Sequence, residues 1–269
     1  MHYQFLFMKT IFTGKYCIRL EKIHSANSYL ADLCNEKNLT EGTAVITNAQ
    51  EQGRGQRGTY WESEAGKNLT LSILLKPTFL KPDEQFSLSK AISLGVLDFV
   101  ASINHQPSAI NHSKVKWPND IYIGTKKIAG ILIENSVNGN SISHSIVGIG
   151  INVNQENFSV ELPNPTSLKL ETGKEFDLEE SLEQLCSCIE KRYLQLRNRP
   201  KEIDADYMEN LYRFNEWASY VYQGKKLKAK IAGVTKIGKL VLEKEVEKNL
   251  ECDFKEVEFI FPSSSLQED

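Results

Sequence analysis

Residues 114–154 read KVKWPNDIYIGTKKIAGILIENSVNGNSISHSIVGIGINVN. Three apolar runs, all rich in β-branched residues, are separated in this stretch by Gly124-Thr125 and by Asn138-Gly139. Both dipeptides are typical of the two-residue turns that join antiparallel strands. The stretch is therefore predicted to form consecutive strands of one sheet, joined by two hairpins.

The register of the second hairpin predicts a surface for a ligand. With Asn138-Gly139 as the turn, Lys127 lies opposite Gly150 and Ala129 lies opposite Gly148, and directly opposed residues project to the same face. That face would carry Lys127, Ala129, Gly148, Gly150 and Asn152. Because a sheet face is normally filled by bulky side chains, so many small residues beside one lysine predict that a ligand lies on the strands. A register slip of one residue would destroy this pattern.

Length and composition indicate an ordinary globular protein. The chain has 269 residues, of which 41% are hydrophobic and 25% are charged, enough for one large domain or for a large and a small one. Its longest apolar runs are too short to span a membrane, and its first residues lack the pattern of a signal peptide. A formal net charge of −3 argues against a general nucleic-acid binder. We therefore expect neither a nucleic-acid partner nor a membrane partner.

The five cysteines are odd in number and scattered along the chain. Cys186 and Cys188 stand at C-x-C spacing inside a helical pattern, without a second pair that would complete a zinc site. Reduced thiols in the cytoplasm are therefore expected. The histidines show no ligand spacing either, so the identity of any metal-ligating residue stays unknown.

Periodicity predicts an α+β chain whose C-terminal region contains short strands and no helix. The expected elements are strands at 16–23, 43–47 and 69–75, and helices after a cap at Ser25, at 85–103, at 177–197 and at 203–214. From Ser219 onward, short alternating strands are joined at glycines, which is typical of a small β-barrel. Residues 263–269 are expected to form a disordered tail.

The segment Gly53-Arg54-Gly55-Gln56-Arg57-Gly58 is the most unusual loop of the chain. Its glycines let backbone N–H groups approach a ligand, and its two arginines supply charge for a carboxylate or a phosphate. It matches neither a Walker A loop nor a dinucleotide fingerprint. Anion binding is favoured, with a flexible solvated loop or an RGG-like nucleic-acid segment as the alternatives. Trp61 either covers a flat ring of a ligand or fills the core.

Two further polar positions stay open on the residues alone. In KWPND (116–120) a strand ends at a proline and presents the amide of Asn119 and the carboxylate of Asp120, which in isolation favours an ordinary turn. Lys127 begins an apolar strand, so it either faces a ligand or lies at a solvated strand end. The pattern Gly148-x-Gly150-x-Asn152 is weak evidence by itself.

Taken together, four motifs resemble the biotin protein ligase family. They are G-R-G-x-R-G…W (53–61), K-W-P-N-D (116–120), K-I-A-G-I-L-I-E (127–134) and G-x-G-x-N (148–152), in the family's order and spacing. The resemblance covers roughly residues 16–262. It implies the class II synthetase-like biotin–lipoate ligase fold, with a catalytic domain of mixed sheet and packed helices at 16–215 and an SH3-like barrel at 216–262. Residues 1–15 would be an N-terminal extension, too short for the DNA-binding domain of some members, so the monofunctional type is expected.

The resemblance implies a two-step reaction in the presence of Mg²⁺. ATP and biotin would give biotinyl-5′-AMP and pyrophosphate, and a lysine of a biotin carboxyl carrier protein would then attack the mixed anhydride. The residues suit this chemistry, because a carboxylate and a phosphate repel each other and need cations to be brought together. Whether the protein is a monomer or a homodimer stays open.

The resemblance also implies roles for single residues. Lys127 matches the lysine that bridges carboxylate and phosphate, Arg54 matches a loop cation that encloses them, and Asp120 matches the carboxylate proposed to guide or deprotonate the incoming lysine. The implied biotin-binding positions are Ser25, Ala26, Asn27, Gln50, Gly53, Arg54, Gly55, Gln56, Lys127, Gly148 and Gly150. The implied positions for ATP and the adenylate are Arg54, Arg57, Trp61, Lys116, Asn119, Lys127 and Asn152.

The sequence departs from the better-known repressor-type pattern at three positions. Ala26 stands where a threonine is common, and Gln56 and Thr59 each replace an arginine. With fewer cations around it, biotinyl-5′-AMP is expected to be retained less tightly than by arginine-rich relatives. The glycine loop is also expected to become ordered around the ligand and to shield the anhydride from water.

Two other functions compete with biotin ligation. A lipoate–protein ligase shares the fold and the adenylate mechanism, but the hydroxyl and amide groups of Ser25, Asn27 and Gln50 suit a ureido ring better than a dithiolane. A non-catalytic biotin sensor or adaptor would work through the small barrel. The presence of Lys127 and Arg54 argues against the sensor.

Overall fold

The computed structural model describes residues 2–5, 9–103, 112–246 and 248–261. The strands are β1 (His2–Phe5), β2 (Tyr16–Ile23), β3 (Ala44–Gln50), β4 (Leu69–Leu75), β5 (Ser113–Lys116), β6 (Asp120–Ile123), β7 (Lys126–Asn138), β8 (Ser141–Ile151), β9 (Trp217–Tyr222), β10 (Lys225–Val234), β11 (Leu240–Glu243), β12 (Leu250–Cys252) and β13 (Val257–Phe259). The helices are α1 (Ala26–Glu36), α2 (Gln85–Ser102), α3 (Leu168–Thr172), α4 (Leu178–Asn198) and α5 (Pro200–Glu209). Single 3₁₀ turns occur at Gln56–Gly58 and at Pro82–Glu84.

Eight strands form a mixed sheet in the order β1-β2-β3-β4-β8-β7-β6-β5. Strands β2 and β3 are parallel, whereas the other neighbouring pairs are antiparallel. The strands predicted at 16–23 and 69–75 are confirmed, and α1 follows Ser25, the cap that the sequence predicted. The first of the predicted apolar runs is divided into β5 and β6 by a turn at 117–119, so KWPND is a turn, as its residues alone favoured.

The register predicted for the β7–β8 hairpin is wrong. Asn138 pairs with Ser141, so the turn is Gly139-Asn140 and not Asn138-Gly139. Gly139 takes the left-handed conformation, with φ +58°, at the first position of that turn, where glycine carries no steric cost. A bulge at Ser143 then shifts the register once more.

The true register changes one member of the predicted ligand face. Gly130, and not Ala129, lies opposite Gly150, and Leu132 lies opposite Gly148. Ala129 projects to the other face, where it is fully buried in the core. The face therefore has the expected floor of glycines, but a different residue of β7 completes it.

Lys127 reaches this same face because of a second bulge. The register between β6 and β7 shifts beside Ile121, so Asp120 lies opposite Gly130 and Tyr122 lies opposite Lys127. Since Asp120 and Tyr122 are two residues apart on one strand, they project to one face. Lys127 and Gly130 therefore share a face although three positions separate them.

Helices cover one face of the sheet fully and the other only in part. On the first face the large core includes Leu94 of α2, Ile189 of α4 and Ile203 of α5, all fully buried. On the second face α1 packs Leu30 into a smaller cluster with Val45 of β3. This cluster ends at β8, so the glycine-lined parts of β7 and β8 are left open for a cavity.

The remaining strands form an antiparallel sheet in the order β12-β11-β10-β9-β13, which agrees with the α+β prediction. The sequence missed β12 here and β1 at the edge of the main sheet. Residues of this second sheet, such as Tyr220 and Ile231, belong to the same core as the main sheet, and Trp117 Nε1 donates a hydrogen bond to Gly238 O at 2.9 Å. The domain limits and the SH3-like name stay predictions.

Other expectations have mixed outcomes. Helix α4 begins after the predicted cap Asp177, whose carboxylate accepts a hydrogen bond from Glu180 N. The helix predicted at 203–214 instead spans Pro200–Glu209, because Pro200 is well suited to the first turn of a helix. The tail predicted at 263–269 lies outside the described residues. Among the described helices, none combines the length and the apolar character needed to cross a bilayer.

Candidate active site

A cavity of about 820 Å³ lies over the uncovered part of the sheet. Its floor is formed by β4, β6, β7 and β8, one wall by the loop of Gly53–Gly58, and another wall by residues next to and within β13. Most of the residues proposed from the sequence line it: Ser25, Asn27, Gln50, Arg54, Gly55, Gln56, Trp61, Lys116, Asn119, Asp120, Lys127, Gly148, Gly150 and Asn152.

Gly148 lets a polar side chain lie directly on the sheet. A Cβ on Gly148 would overlap the amide of Asn27. The same amide accepts a hydrogen bond from Ser72 Oγ at 2.5 Å, and Ser72 pairs with Gly148 on β4. One end of the cavity is therefore built from neutral hydrogen-bonding groups, with Ser25 and Gln50 beside them.

Gly150 and Gly130 form a bed for the indole of Trp61. A Cβ on Gly150 would overlap the Trp61 ring, and a Cβ on Gly130 would lie 3.1 Å from it. The buried Nε1 of Trp61 has no hydrogen-bond partner among the described residues. The sequence predicted a ligand on the face that includes Gly150, but in this structure the place over Gly150 is taken by a side chain of the protein itself.

Lys127 and Asp120 form an ion pair inside the cavity. Their Nζ and Oδ1 atoms are 2.7 Å apart, and the two side chains are only 29% and 17% exposed. Lys127 Nζ also lies 5.6 Å from the centre of the Trp61 ring. The bulge in β7 thus sets one ammonium between a carboxylate and an indole, which excludes the solvated strand end that the sequence left open.

Lys116 lies among aromatic rings at the opposite wall. Its Nζ is 4.5 Å from the ring centre of Phe259 and 5.4 Å from that of Tyr122. Burial lowers the pKa of the Lys116 ammonium, Asp120 acts in the opposite direction, and Lys127 lowers it further. Burial likewise raises the pKa of the Tyr122 hydroxyl. This wall therefore presents a cation that is poorly solvated in the absence of an anion.

Arg54 is held at the rim of the cavity by Glu134. Arg54 Nη2 lies 2.7 Å from Glu134 Oε2, and Asn27 Nδ2 donates a hydrogen bond to the same oxygen at 2.8 Å. The ion pair is accessible, since the two side chains are 44% and 40% exposed. Sequence reasoning included Glu134 in a motif but gave it no role, because only the strand register brings it to Asn27.

The glycine loop is folded back on itself. Gly55 N donates to Thr59 O at 2.7 Å, and Trp61 N donates to Gly53 O at 2.9 Å. A Cβ on Gly53 would overlap Trp61 O, and one on Gly55 would overlap the Thr59 hydroxyl. The side chain of Arg57 lies outside the part of the chain that the structure describes, so its proposed role in binding the adenylate stays a prediction.

Asn152 offers an unused acceptor at the end of β8. Its Nδ2 donates to Thr166 O at 2.9 Å, which fixes the orientation of the amide. Its buried Oδ1 has no hydrogen-bond partner within the described residues. A buried acceptor without a donor is costly, so this atom is suited to an amino group of a ligand.

Two proposed residues lie just behind the wall. Ala26 is buried in the cluster under α1, and its backbone N–H donates to Gln50 Oε1 at 2.7 Å. Gly53 is buried beneath Trp61. The residues of the lining that the sequence did not suggest include Tyr60, Thr70, Ser72, Tyr122, Gly130, Leu132, Phe158, Lys255, Glu258, Phe259 and Phe261. The correct register would have added Gly130 and Leu132, whereas no local signal points to Lys255 or Phe259.

Comparison with known proteins assigns the chain to a family. Residues 20–152 match the model of the biotin/lipoate A/B protein ligase family. The chain belongs to this family. It is 34% identical over 190 residues to a bifunctional ligase/repressor of Bacillus spizizenii. The matched region covers 69% of this chain and 56% of that protein. It is 33% identical over 168 residues to a biotin–[acetyl-CoA-carboxylase] ligase of Mycobacterium tuberculosis, covering 62% and 60% of the two chains.

The family fold extends over nearly the whole chain. A biotin protein ligase from Aquifex aeolicus, solved in complex with biotin and ATP, superposes with a TM-score of 0.73 and 28% identity over 90% of this chain and 97% of its own. The chain spans just over half the length of the first curated relatives that it matches. Within the biotin/lipoate A/B protein ligase family, the cavity described above is the candidate active site.

Proposed function

We propose that the chain is a biotin–protein ligase, which attaches biotin to a lysine of a biotin carboxyl carrier protein at the expense of ATP. The observation that carries the proposal is the pairing of Lys127 with Asp120 on the floor of a cavity whose rim holds Arg54. Two cations are thereby available where a carboxylate and a phosphate must meet.

The neutral end of the cavity favours biotin over lipoate. Ser25, Asn27, Gln50 and Ser72 offer hydroxyl and amide groups, which match the donor and acceptor pattern of a ureido ring. The dithiolane of lipoate has no comparable hydrogen-bonding groups, so it would leave these side chains without ligand partners. The similar proteins from Mycobacterium tuberculosis and Aquifex aeolicus, which are named as biotin ligases, point to biotin as well.

The first step joins the two substrates. An oxygen of the biotin carboxylate attacks the α-phosphorus of ATP, a P–O bond forms, and the bond to the leaving pyrophosphate breaks. Lys127 and Arg54 offset the charge that both anions bring, and Lys116 is placed to meet the phosphates from the wall of β13. The free Oδ1 of Asn152 and the ring of Trp61 are suited to adenine, an aromatic ring with an exocyclic amino group.

The second step transfers the biotinyl group. The amine of the acceptor lysine attacks the carbonyl carbon of biotinyl-5′-AMP, an amide bond forms, and AMP leaves with the bonding electron pair. The amine must lose a proton in this step, and Asp120 is the carboxylate of the cavity floor that can guide it or accept that proton. Its ion pair with Lys127 keeps Asp120 oriented until the acceptor arrives.

We also propose that Mg²⁺ accompanies ATP. The described residues contain no group of three or more histidine, cysteine, aspartate or glutamate side chains that could form a metal cage. Mg²⁺ commonly takes substrate phosphates and one or two carboxylates as ligands, and Glu62, Asp120 and Glu258 are the carboxylates that line the cavity. The donor set therefore fits an ion that offsets phosphate charge.

The same proposal includes the domain limits, the cellular location and the oligomeric state. We take residues 16–215 as the catalytic domain and 216–262 as an SH3-like barrel. A cytoplasmic location is supported by the cysteines, all five of which are free. A homodimer is an inference from the family resemblance alone.

Transfer to a carrier tests the proposal. The protein, ATP, Mg²⁺ and biotin are incubated with an isolated biotin carboxyl carrier domain, and the carrier is analysed by intact mass spectrometry. We expect one biotinyl group on one lysine, and none when ATP is omitted or when the carrier lysine is replaced by arginine. An unmodified carrier, together with the absence of a biotin hydroxamate on trapping with hydroxylamine, would overturn the proposal.

A further inference from the structure

The ion pair between Arg54 and Glu134 suggests that a carboxylate of the protein, at the rim of the cavity, competes with an anionic ligand for Arg54. Glu134 lies on the same face of β7 as Gly130 and Leu132, since the three residues alternate along the strand. It stands at the rim of the cavity and not in the lining. Its carboxylate is therefore close enough to hold the guanidinium of Arg54 without filling the space of the ligand.

The partners of Glu134 connect two parts of the cavity. One oxygen, Oε2, accepts from Arg54 of the glycine loop at 2.7 Å and from Asn27 of α1 at 2.8 Å. Asn27 in turn accepts from Ser72 Oγ at 2.5 Å. The neutral end of the cavity and the loop cation thus depend on one carboxylate, which no local sequence signal suggests.

The ion pair between Arg54 and Glu134 is weak enough for Arg54 to exchange Glu134 for another anion. Both side chains are about two-fifths exposed, and exposed ion pairs are weak and screened by salt. A ligand carboxylate that enters the cavity offers Arg54 a new partner in a less solvated place, where charge pairs are stronger. Asn27 keeps its contacts with Glu134 and with Ser72 in that exchange.

We propose that Glu134 is the resident counter-anion of Arg54, that the carboxylate of the ligand displaces it, and that Glu134 thereby limits the preference of the site for an acid over its neutral amide. Glu134 is a positioning residue in this account, since it acts on the ligand through Arg54. The inference rests on the proposed function for the identity of the acid, but the exchange itself applies to either biotin or lipoate.

Binding measurements on acid and amide pairs test the exchange. Dissociation constants for biotin and biotinamide, and in parallel for lipoate and lipoamide, are measured by calorimetry at low and at high salt. The variants are Glu134→Gln, Arg54→Ala and the double variant. Glutamine keeps an oxygen for Asn27 but removes the charge, so the contact with α1 is retained while the competition with the ligand is lost.

We expect Glu134→Gln to raise the ratio of the amide to the acid dissociation constant by about 2- to 5-fold, the equivalent of an exposed ion pair. The gain should shrink at high salt and vanish in the Arg54→Ala background. Glu243→Gln is the matched control, since Glu243 is 39% exposed and pairs with Lys230 at 3.0 Å in the second sheet. That variant should leave the ratio unchanged.

A second measurement reports on Arg54 without any ligand. Modification of arginine by phenylglyoxal is followed by peptide mass spectrometry, and Arg54 should react faster in Glu134→Gln than in the wild type. If an acid binds but the ratio of the amide to the acid dissociation constant is unchanged or lower in Glu134→Gln, this inference is overturned and the proposed function stays intact. If neither biotin nor lipoate binds, the proposed function is overturned. If Arg54 reacts with phenylglyoxal equally fast in Glu134→Gln and in the wild type, the ion pair between Arg54 and Glu134 is refuted independently of any ligand.

Discussion

The indole of Trp61 lies directly over Gly150, so closely that a Cβ on Gly150 would overlap its Cε2 and Nε1 atoms. The contact depends on a strand residue without a side chain and on a loop that carries Trp61 onto the sheet. It links the G-x-G-x-N segment of β8 to the glycine loop, two motifs that are almost ninety residues apart in the chain.

Replacing Gly150 should disturb the nucleotide part of the site. In Gly150→Ala the new methyl group displaces Trp61, and we expect a loss of about 1–3 kcal/mol of stability from overpacking. If the ring also supports adenine, the KM for ATP should rise about tenfold, the usual worth of stacking between a base and an aromatic side chain. Thermal melting and steady-state kinetics measure the two effects.

Gly233→Ala is the control for that substitution. The nearest atom to a Cβ on Gly233 is Met208 Cε at 3.9 Å, so the change should be tolerated in both measurements. A Gly150→Ala protein with normal melting and a normal KM for ATP would show that Trp61 moves away at little cost and that its place over Gly150 does not matter.

Loss of Lys127 should abolish adenylation while the fold survives. Lys127→Ala removes a cation from the floor of the cavity, and we expect adenylation to fall by about 10²- to 10³-fold. Asp120 loses its partner, but its partial exposure should keep melting cooperative. Rates of adenylate formation and thermal melting are the measurements.

The adjacent lysine provides a matched control. Lys126 is 55% exposed and pairs with Glu171 at 3.1 Å, so Lys126→Ala should adenylate normally. Loss of cooperative melting in Lys127→Ala would show that this lysine is structural, and a normal adenylation rate would remove it from the mechanism.

The retention of the adenylate should depend on Gln56, which lines the cavity. Gln56→Arg adds a cation beside the phosphate, and a charge-assisted hydrogen bond should slow the dissociation of biotinyl-5′-AMP by about tenfold. Stopped-flow measurement of dissociation, with Gln223→Arg on an exposed turn as the control, tests this. Dissociation that is no faster from the wild type than from Gln56→Arg would sink the hypothesis.

The buried ammonium of Lys116 should make stability depend on pH in a defined direction. Because burial lowers its pKa in the folded state from the ordinary 10.5, the charged form costs stability below the folded pKa, and the cost disappears as pH rises above 10.5. Lys116→Met should therefore melt at a higher temperature than the wild type at pH 7, with a difference that narrows toward pH 10.5.

Lys114→Met on the same strand is the control for Lys116, because the half-buried Lys114 keeps its ammonium at the surface, where it donates to Glu209 O at 3.1 Å. Its melting temperature should stay close to that of the wild type at both pH values. A difference for Lys116→Met that widens with pH would have the wrong sign and would refute the assignment of Lys116 as a buried cation.

The sequence predicted the helices and strands of the fold better than the register in which the strands pair. Turn chemistry placed a hairpin at Asn138-Gly139, but the choice between this pair and Gly139-Asn140 depends on how β8 fits its neighbours. The bulge at Ser143 and the one beside Ile121 are likewise set by packing. Moving the turn by one residue leaves Ala129 on the predicted face, so it is the bulge at Ser143 that places Ala129 in the core, whereas a separate bulge kept Lys127 on the expected face.

Most of the cavity residues were proposed through the resemblance to biotin protein ligases, whereas local patterns alone favoured only an anion at the glycine loop and a ligand on the strand face. They could not identify groups that reach the cavity from afar: Phe259 comes from the last strand and packs on Lys116, and Glu134 meets Asn27 only through the sheet. Neither the composition nor the periodicity of a strand records what another part of the chain brings to it. Short strands such as β1 and β12 were missed for a related reason, since they depend on their pairing partners.

The most direct test of the account is the exchange of labelled pyrophosphate into ATP, measured with biotin and with lipoate in parallel. We expect exchange that requires biotin, is absent with lipoate alone, and is lost in Lys127→Ala. Exchange with lipoate alone would assign the protein to the other branch of its family. No exchange with either acid would contradict the central claim that Lys127, Arg54 and the glycine floor form an adenylating site.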